Sequence, residues 1–180
     1  MQIRALPLFA AALLLALIAS PVGADQDWKK FTSEQGRFSI SVPTQPVKSE
    51  TSKKSFIGTV TNHVFTSESG KDDSFTVDYS DIPHFALHFA GADTIYEHAK
   101  GALLKQTFGK ATAYRDVSVG DAKGKRLVYD TPEAPGHAAM RGHAVLLLVG
   151  TRLYVVDAVL EESEADTKAE RFLSSFEITP

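Results

Sequence analysis

The sequence contains no cysteine. Disulfides, thiolate metal sites and a cysteine nucleophile are therefore excluded, and the core must hold without covalent staples. It also lacks an excess of positive charge, with 19 Lys and Arg against 22 Asp and Glu and a net charge of −3. The charges are interspersed rather than blocked, which argues against nucleic acid or an anionic membrane as a main partner. There is no Gly-x-Ser-x-Gly elbow, no Ser-x-x-Lys pair placed as a site requires, and no glycine-rich phosphate loop, since the 12 glycines are scattered at turns. Internal repeats, low-complexity tracts and long linkers are missing as well.

What is present begins with an N-terminal leader. Met1-Gln2-Ile3-Arg4 is followed by an apolar run from Ala5 to Ala19, then Ser20-Pro21-Val22-Gly23-Ala24 before the polar Asp25. The run is shorter than the roughly 20 apolar residues a membrane span needs, and small residues flank a cleavage point after Ala24, so residues 1–24 read as a secretory signal peptide. No cysteine follows the run, which excludes lipoprotein attachment. Arg4 is the only charged residue in the leader, and residues 25–180 form one domain with length enough for a real core. A periplasmic or secreted location, without stable membrane insertion after cleavage, is the corresponding expectation.

The organising stretch runs from His143 to Leu160. Two β-branched-rich runs meet at Gly150-Thr151, and a glycine at the first position of a two-residue loop suits the positive φ of a type II′ hairpin turn. This register sets Val149 opposite Arg152. Val145, Leu147, Val149, Tyr154, Val156 and Leu160 then share one face, and Leu146, Leu148, Leu153, Val155 and Val159 the other. Neither face is polar, so both strands are expected in the middle of a sheet covered on both sides.

Elsewhere, Trp28 and Phe31 form an aromatic lead-in that should pack on the domain. Phe38, Ile40 and Val42 alternate with serines as a half-buried strand that Pro43 ends. A longer strand is expected from Lys54 to Thr66, with Gly58 as a bulge, and a third on Phe75, Val77 and Tyr79, with Thr76 and Asp78 opposite. Thr94-Ile95-Tyr96-Glu97 has the form of a capping box, and the spacing predicts a helix from there to a C′ glycine at Gly109. Strands follow at 112–119 and 124–130. Thr131 to His137 is a Pro- and Gly-rich exposed loop, and Ala165, Ala169, Phe172, Leu173 and Phe176 form a helical stripe behind a capping box at Ser163. The whole reads as a single α+β domain, an antiparallel sheet of six to seven strands sandwiched by helices.

Gly36-Arg37-Phe38-Ser39-Ile40-Ser41-Val42-Pro43 resembles the opening strand of small exported bacterial proteins of PsbP-like fold, mostly uncharacterised. Tyr79-Ser80-Asp81-Ile82-Pro83, the turn from Gly120 to Gly124, the apolar hairpin and Phe172-Leu173-Ser174-Ser175-Phe176 fall in the order that group would show. The resemblance implies an antiparallel sheet between helices. Better-known members of the fold, an extrinsic photosystem II subunit and a Ran-binding import factor, act through protein contacts. No residue motif of either partner surface is present here, so no site residue is carried over.

Four residues stand out as candidate sites. His84 and His88 are four apart, a spacing that puts two imidazoles on one side of a helix for a divalent metal, with Asp81, Asp93 or His98 as a third ligand. The motif lacks the glutamate of a His-Glu-x-x-His zincin, and its aromatic neighbours Phe85 and Phe89 suit packing instead. Asp157 is a carboxylate inside an apolar strand: either an acid with a raised pKa in a pocket, or a structural group near the sheet end paired with Lys or Arg or capping a loop amide. His143, near His137 and the Pro-rich loop, is the residue that Asp157 would join in a ligand site. The expectation is an exported, non-enzymatic accessory or protein-interaction domain without a cofactor, its partner another envelope or extracellular protein met through the 132–140 loop. The alternatives are a small-ligand or metal-binding periplasmic protein and, third, a small enzyme using Asp157 and His143.

Overall fold

The structure is a computed structural model, and it describes residues 27–55, 58–133, 139–162 and 165–180. The expected leader with its expected cleavage after Ala24, most of the Pro-rich loop, and Ser163 and Glu164 lie outside the described residues.

Among the described residues ten strands and two helices follow in the order β1 (Lys29–Ser33), β2 (Phe38–Val42), β3 (Val47–Ser55), β4 (Gly58–Ser69), β5 (Asp73–Asp81), α1 (His84–Thr107), β6 (Lys110–Val119), β7 (Ala122–Thr131), β8 (Met140–Val149), β9 (Arg152–Glu161), α2 (Ala165–Ser174) and β10 (Glu177–Ile178). Seven of the strands make one antiparallel sheet in the order β3-β4-β5-β9-β8-β7-β6, and β1-β2-β10 make a small second sheet. The apolar hairpin is β8-β9, at the centre, with Val149 paired to Arg152 and Gly150 at φ 61 in its turn. Central placement follows from composition. A strand that is apolar on both faces loses least where neighbouring strands and two covering layers remove it from water.

The two faces carry separate cores. On one, Val145, Leu147, Tyr154, Val156 and Leu160 pack with Phe38, Ile40, Phe75, Phe172 and Phe176, so α2 and the small sheet cover this side. The α2 stripe works as its spacing predicts: Ala165, Ala169, Phe172 and Leu173 are all buried. Trp28 packs edge-on against Phe75, its ring centroid 5.0 Å away, and Tyr154 Oη donates to the Gly36 carbonyl at 2.8 Å, tying the small sheet to the hairpin. On the other face Leu127, Tyr129, Ala144, Leu146 and Leu153 meet Tyr96 of α1. Helix α1 leaves β5 near the middle of the sheet and must reach β6 at its far edge. Between them it packs on β7 and β8, with β9 lining a cavity beside it, and this makes it the second cover.

Three expectations are corrected. The sandwich has a second sheet as part of one cover, because the lead-in with Phe31 is itself strand β1. The strand expected from Lys54 to Thr66 is two: Lys54 and Ser55 end β3, Gly58 begins β4, and Ser55 pairs with Gly58. Helical residues begin at His84, ten before Thr94, but a kink at Gly91 divides them, and the piece that follows Gly91 begins close to the expected cap. Its αL cap is Phe108 at φ 52 rather than Gly109. Gly109 is small for another reason: a Cβ there would stand 2.6 Å from Tyr129 Cδ2.

Candidate functional site

The face beneath α1 carries two carboxylates. Residue alternation sends Thr76, Asp78 and Ser80 of β5, and Leu153, Val155, Asp157 and Val159 of β9, toward the helix. Asp78 pairs with Val155 and Asp157 with Thr76, so the two acids lie diagonally across neighbouring strands on one side of the sheet.

Asp157 is 6% exposed. Its Oδ2 accepts a hydrogen bond from Tyr129 Oη at 2.8 Å, whereas Oδ1 is buried and has no partner. Burial raises its pKa to about 7, offset in part by the tyrosine's hydrogen bond. The Tyr129 hydroxyl is itself held well above its usual range by burial and the carboxylate beside it. Glycines make room for this ring. Tyr129 pairs with Gly142, where a Cβ would fall 2.0 Å from Tyr129 Cζ, and Gly109 closes the slot from the helix end. Asp157 thus sits mid-strand opposite Ala144, and its partner is a phenol rather than a Lys, an Arg or a loop amide.

Asp78 opens onto a cavity of about 530 Å³ between α1 and the sheet. Its walls are apolar, from Ile82, Ile95, Leu103, Leu153 and Val155, with Asn62, His98 and Gln106 among the polar lining groups. Asp78 Oδ1 is shut off from solvent without a hydrogen bond. Burial pushes its carboxyl up to about 6, and His63 works in the opposite direction.

His143 does not join Asp157. It lies on the opposite face, 5% exposed, with Nδ1 3.3 Å from Arg126 Nη2 and Nε2 3.2 Å from Asp166 Oδ1 but without hydrogen-bond geometry to the latter. Burial and Arg126 lower its pKa. His84 and His88 are exposed on the first turns of α1. Among the described residues no three His, Asp or Glu side chains are grouped to hold a metal, so Asp81, Asp93 and His98 do not complete a set with them. Of the Pro-rich loop, Pro132 and Glu133 are described and exposed.

The first turns of α1 hold a further feature. Gly91, at φ 74 and ψ 162, breaks the helix in two, a backbone conformation that only glycine adopts without strain. The piece before it presents Phe85 and Phe89 to solvent, 50% and 84% exposed.

Sequence reasoning missed Asp78, Tyr129 and this outward-facing pair. Asp78 has a readable signal: it alternates with the buried Phe75, Val77 and Tyr79, and its own side would be solvent unless a helix crosses there. Tyr129 has none, since only strand order brings it to Asp157.

No family model matches the sequence, and no curated protein matches it in sequence. Solved structures do. The solution structure of cyanobacterial PsbP, CyanoP, from Synechocystis sp. PCC 6803 superposes with a TM-score of 0.58 at 15% identity, covering 90% of this chain and 98% of that one. The fold is PsbP-like. A protein from Bacteroides thetaiotaomicron VPI-5482 matches at a TM-score of 0.47 and 14% identity over 84% of this chain and 48% of its own. A Pseudomonas aeruginosa protein of unknown function matches at 0.42 and 8% identity over 80% of this chain and 94% of its own. At such identities the PsbP-like likeness extends to architecture, and the residues of the α1 face stand on their own chemistry.

Proposed function

We propose that this chain is an exported, non-enzymatic accessory domain that binds another envelope or extracellular protein through the first turns of α1. The observation that carries the reading is the outward pair Phe85 and Phe89, on a helical piece set off by Gly91. Exposed phenylalanines forgo burial worth roughly 1.5–3 kcal/mol each, and aromatics clustered on a surface are what protein interfaces use as anchors. The flanking groups, His84 and His88, include no Lys or Arg, which favours a protein partner over an anionic lipid surface. Resemblance to a fold whose better-known members act through protein contacts points the same way. The pair on which the enzymatic alternative rests, Asp157 and His143, is not brought together: Asp157 faces a phenol and His143 is on the other side of the sheet.

The test places a photo-crosslinking residue at Phe85, Phe89 or Phe108 in the producing cells. Phe108 is 82% exposed at the far end of α1 and serves as control. A discrete protein adduct from 85 and 89 and none from 108 supports the reading. Equal labelling from all three positions, or none, refutes it.

A further inference from the structure

We propose that the cavity between α1 and the sheet is a binding site for a small organic cation, an amine or amidine carried on an apolar body, with Asp78 as its counter-ion. Its three requirements are all in place. The volume, about 530 Å³, lies within the range of small-molecule sites, roughly 300–1,000 Å³. The walls supply apolar contact from two directions, Ile95 on the helix and Leu153 and Val155 on β9. One carboxylate supplies the charge, and it is short of partners: Oδ1 has no hydrogen bond, and among the described residues no Lys or Arg pairs with Asp78 or lines the cavity.

A carboxylate removed from water without a partner is costly, and a charge-assisted hydrogen bond from an ammonium or amidinium offsets that cost where a neutral donor offsets less. An anion would meet Asp78 as like charge. A metal ion would find one carboxylate, an imidazole at His98 and amides, with no grouped set of three acidic or imidazole ligands among the described residues. A purely apolar ligand would fill the walls but leave Asp78 unpaired. Only a ligand with an apolar body and a cationic end satisfies both surfaces. Asn62 and Gln106 then offer carbonyl oxygens for the remaining N–H groups.

The site is separate from the exposed turn bearing Phe85 and Phe89, so it stands or falls independently of the protein-binding surface. The experiment titrates the purified chain by calorimetry and by amide NMR shifts with 2-phenylethylamine and benzamidine, each against a neutral counterpart, 2-phenylethanol and benzyl alcohol. Saturable binding of a cation, about tenfold or more tighter than its neutral counterpart, with shifts on β5, β9 and α1, is the expected result. Asp78→Asn should abolish the preference for charge, and Ala102→Trp, which fills the cavity from the helix side, should block both members of each pair. Asp157→Asn should change neither, which separates a local loss from general destabilisation. Equal affinity for cation and neutral counterpart, retention of the preference in Asp78→Asn, or no saturable binding of either cation at millimolar concentration overturns the proposal.

Discussion

Replacing Asp157 with asparagine should make the protein more stable at pH 8 and less stable at pH 4. The carboxyl has an ordinary value of 3.8 and is raised to about 7 by burial in the fold. A group whose folded pKa is raised binds its proton more tightly in the native state. Its contribution is therefore complete below pH 3.8 and is lost as pH rises through about 7. Three pH units at about 1.4 kcal/mol each amount to roughly 4 kcal/mol of lost stability once the folded acid is ionised. Asparagine has the same shape and cannot ionise. Its carbonyl can accept the Tyr129 hydroxyl, while its amide nitrogen takes the place of the unpartnered Oδ1 and finds no acceptor there, a cost of about 1–3 kcal/mol. The balance is a gain of about 1–3 kcal/mol at pH 8 and a loss of similar size at pH 4. For a domain of this length that is roughly 2–12 °C in Tm in each direction. Differential scanning calorimetry of both proteins from pH 4 to pH 8 checks it. Asp78, raised to about 6, contributes with the same sign to both proteins, so the difference between the two profiles isolates Asp157. Parallel profiles would refute the assignment of a buried, ionising carboxylate.

Other consequences concern packing and the α1 turn. Tyr129→Phe leaves both Asp157 oxygens without a donor and should cost about 1–3 kcal/mol at neutral pH by chemical denaturation, with the Asp157 carboxyl titrating still higher by NMR. Gly142→Ala places a methyl against the Tyr129 ring and should cost about 1–3 kcal/mol by the same assay, with relief in the Gly142→Ala, Tyr129→Leu double variant. Gly91→Ala has open space for its methyl but a φ of 74, so about 1–3 kcal/mol of backbone strain should appear, and crosslinking from position 89 should fall as the two helical pieces realign. Asp81, held below the usual carboxylate range by two hydrogen bonds from Arg152, contributes stability above pH 3.8 that is lost as pH falls; Asp81→Asn should flatten the acid limb of the calorimetric profile.

The central hairpin was legible because its message is redundant. Each of its faces is apolar at alternate positions, and the turn glycine fixes the register, so faces and central placement follow from the residues alone. Helix α2 was legible for the same reason, its stripe having one period and one buried side. β3 was not, because Val47–Ser55 reads Val-Lys-Ser-Glu-Thr-Ser-Lys-Lys-Ser and has no apolar side; it is an edge strand held by backbone pairing to β4, and charged residues suit such an edge. The start of α1 was illegible because its phenylalanines face water, the reverse of the pattern that marks a helix. The site was hidden at a deeper level. Asp78 faces a helix rather than solvent only because β5 lies next to β9, and that adjacency is a property of strand order, to which local sequence is blind.

The proposal that the Phe85 and Phe89 turn holds a protein partner can be checked by native mass spectrometry of the tagged chain, gently isolated from the exported fraction. The expected result is a species heavier than the chain by the mass of one other polypeptide, lost in the Phe85→Ser, Phe89→Ser double variant while Tm changes little. A bare chain, or a complex that survives the double substitution, would contradict it.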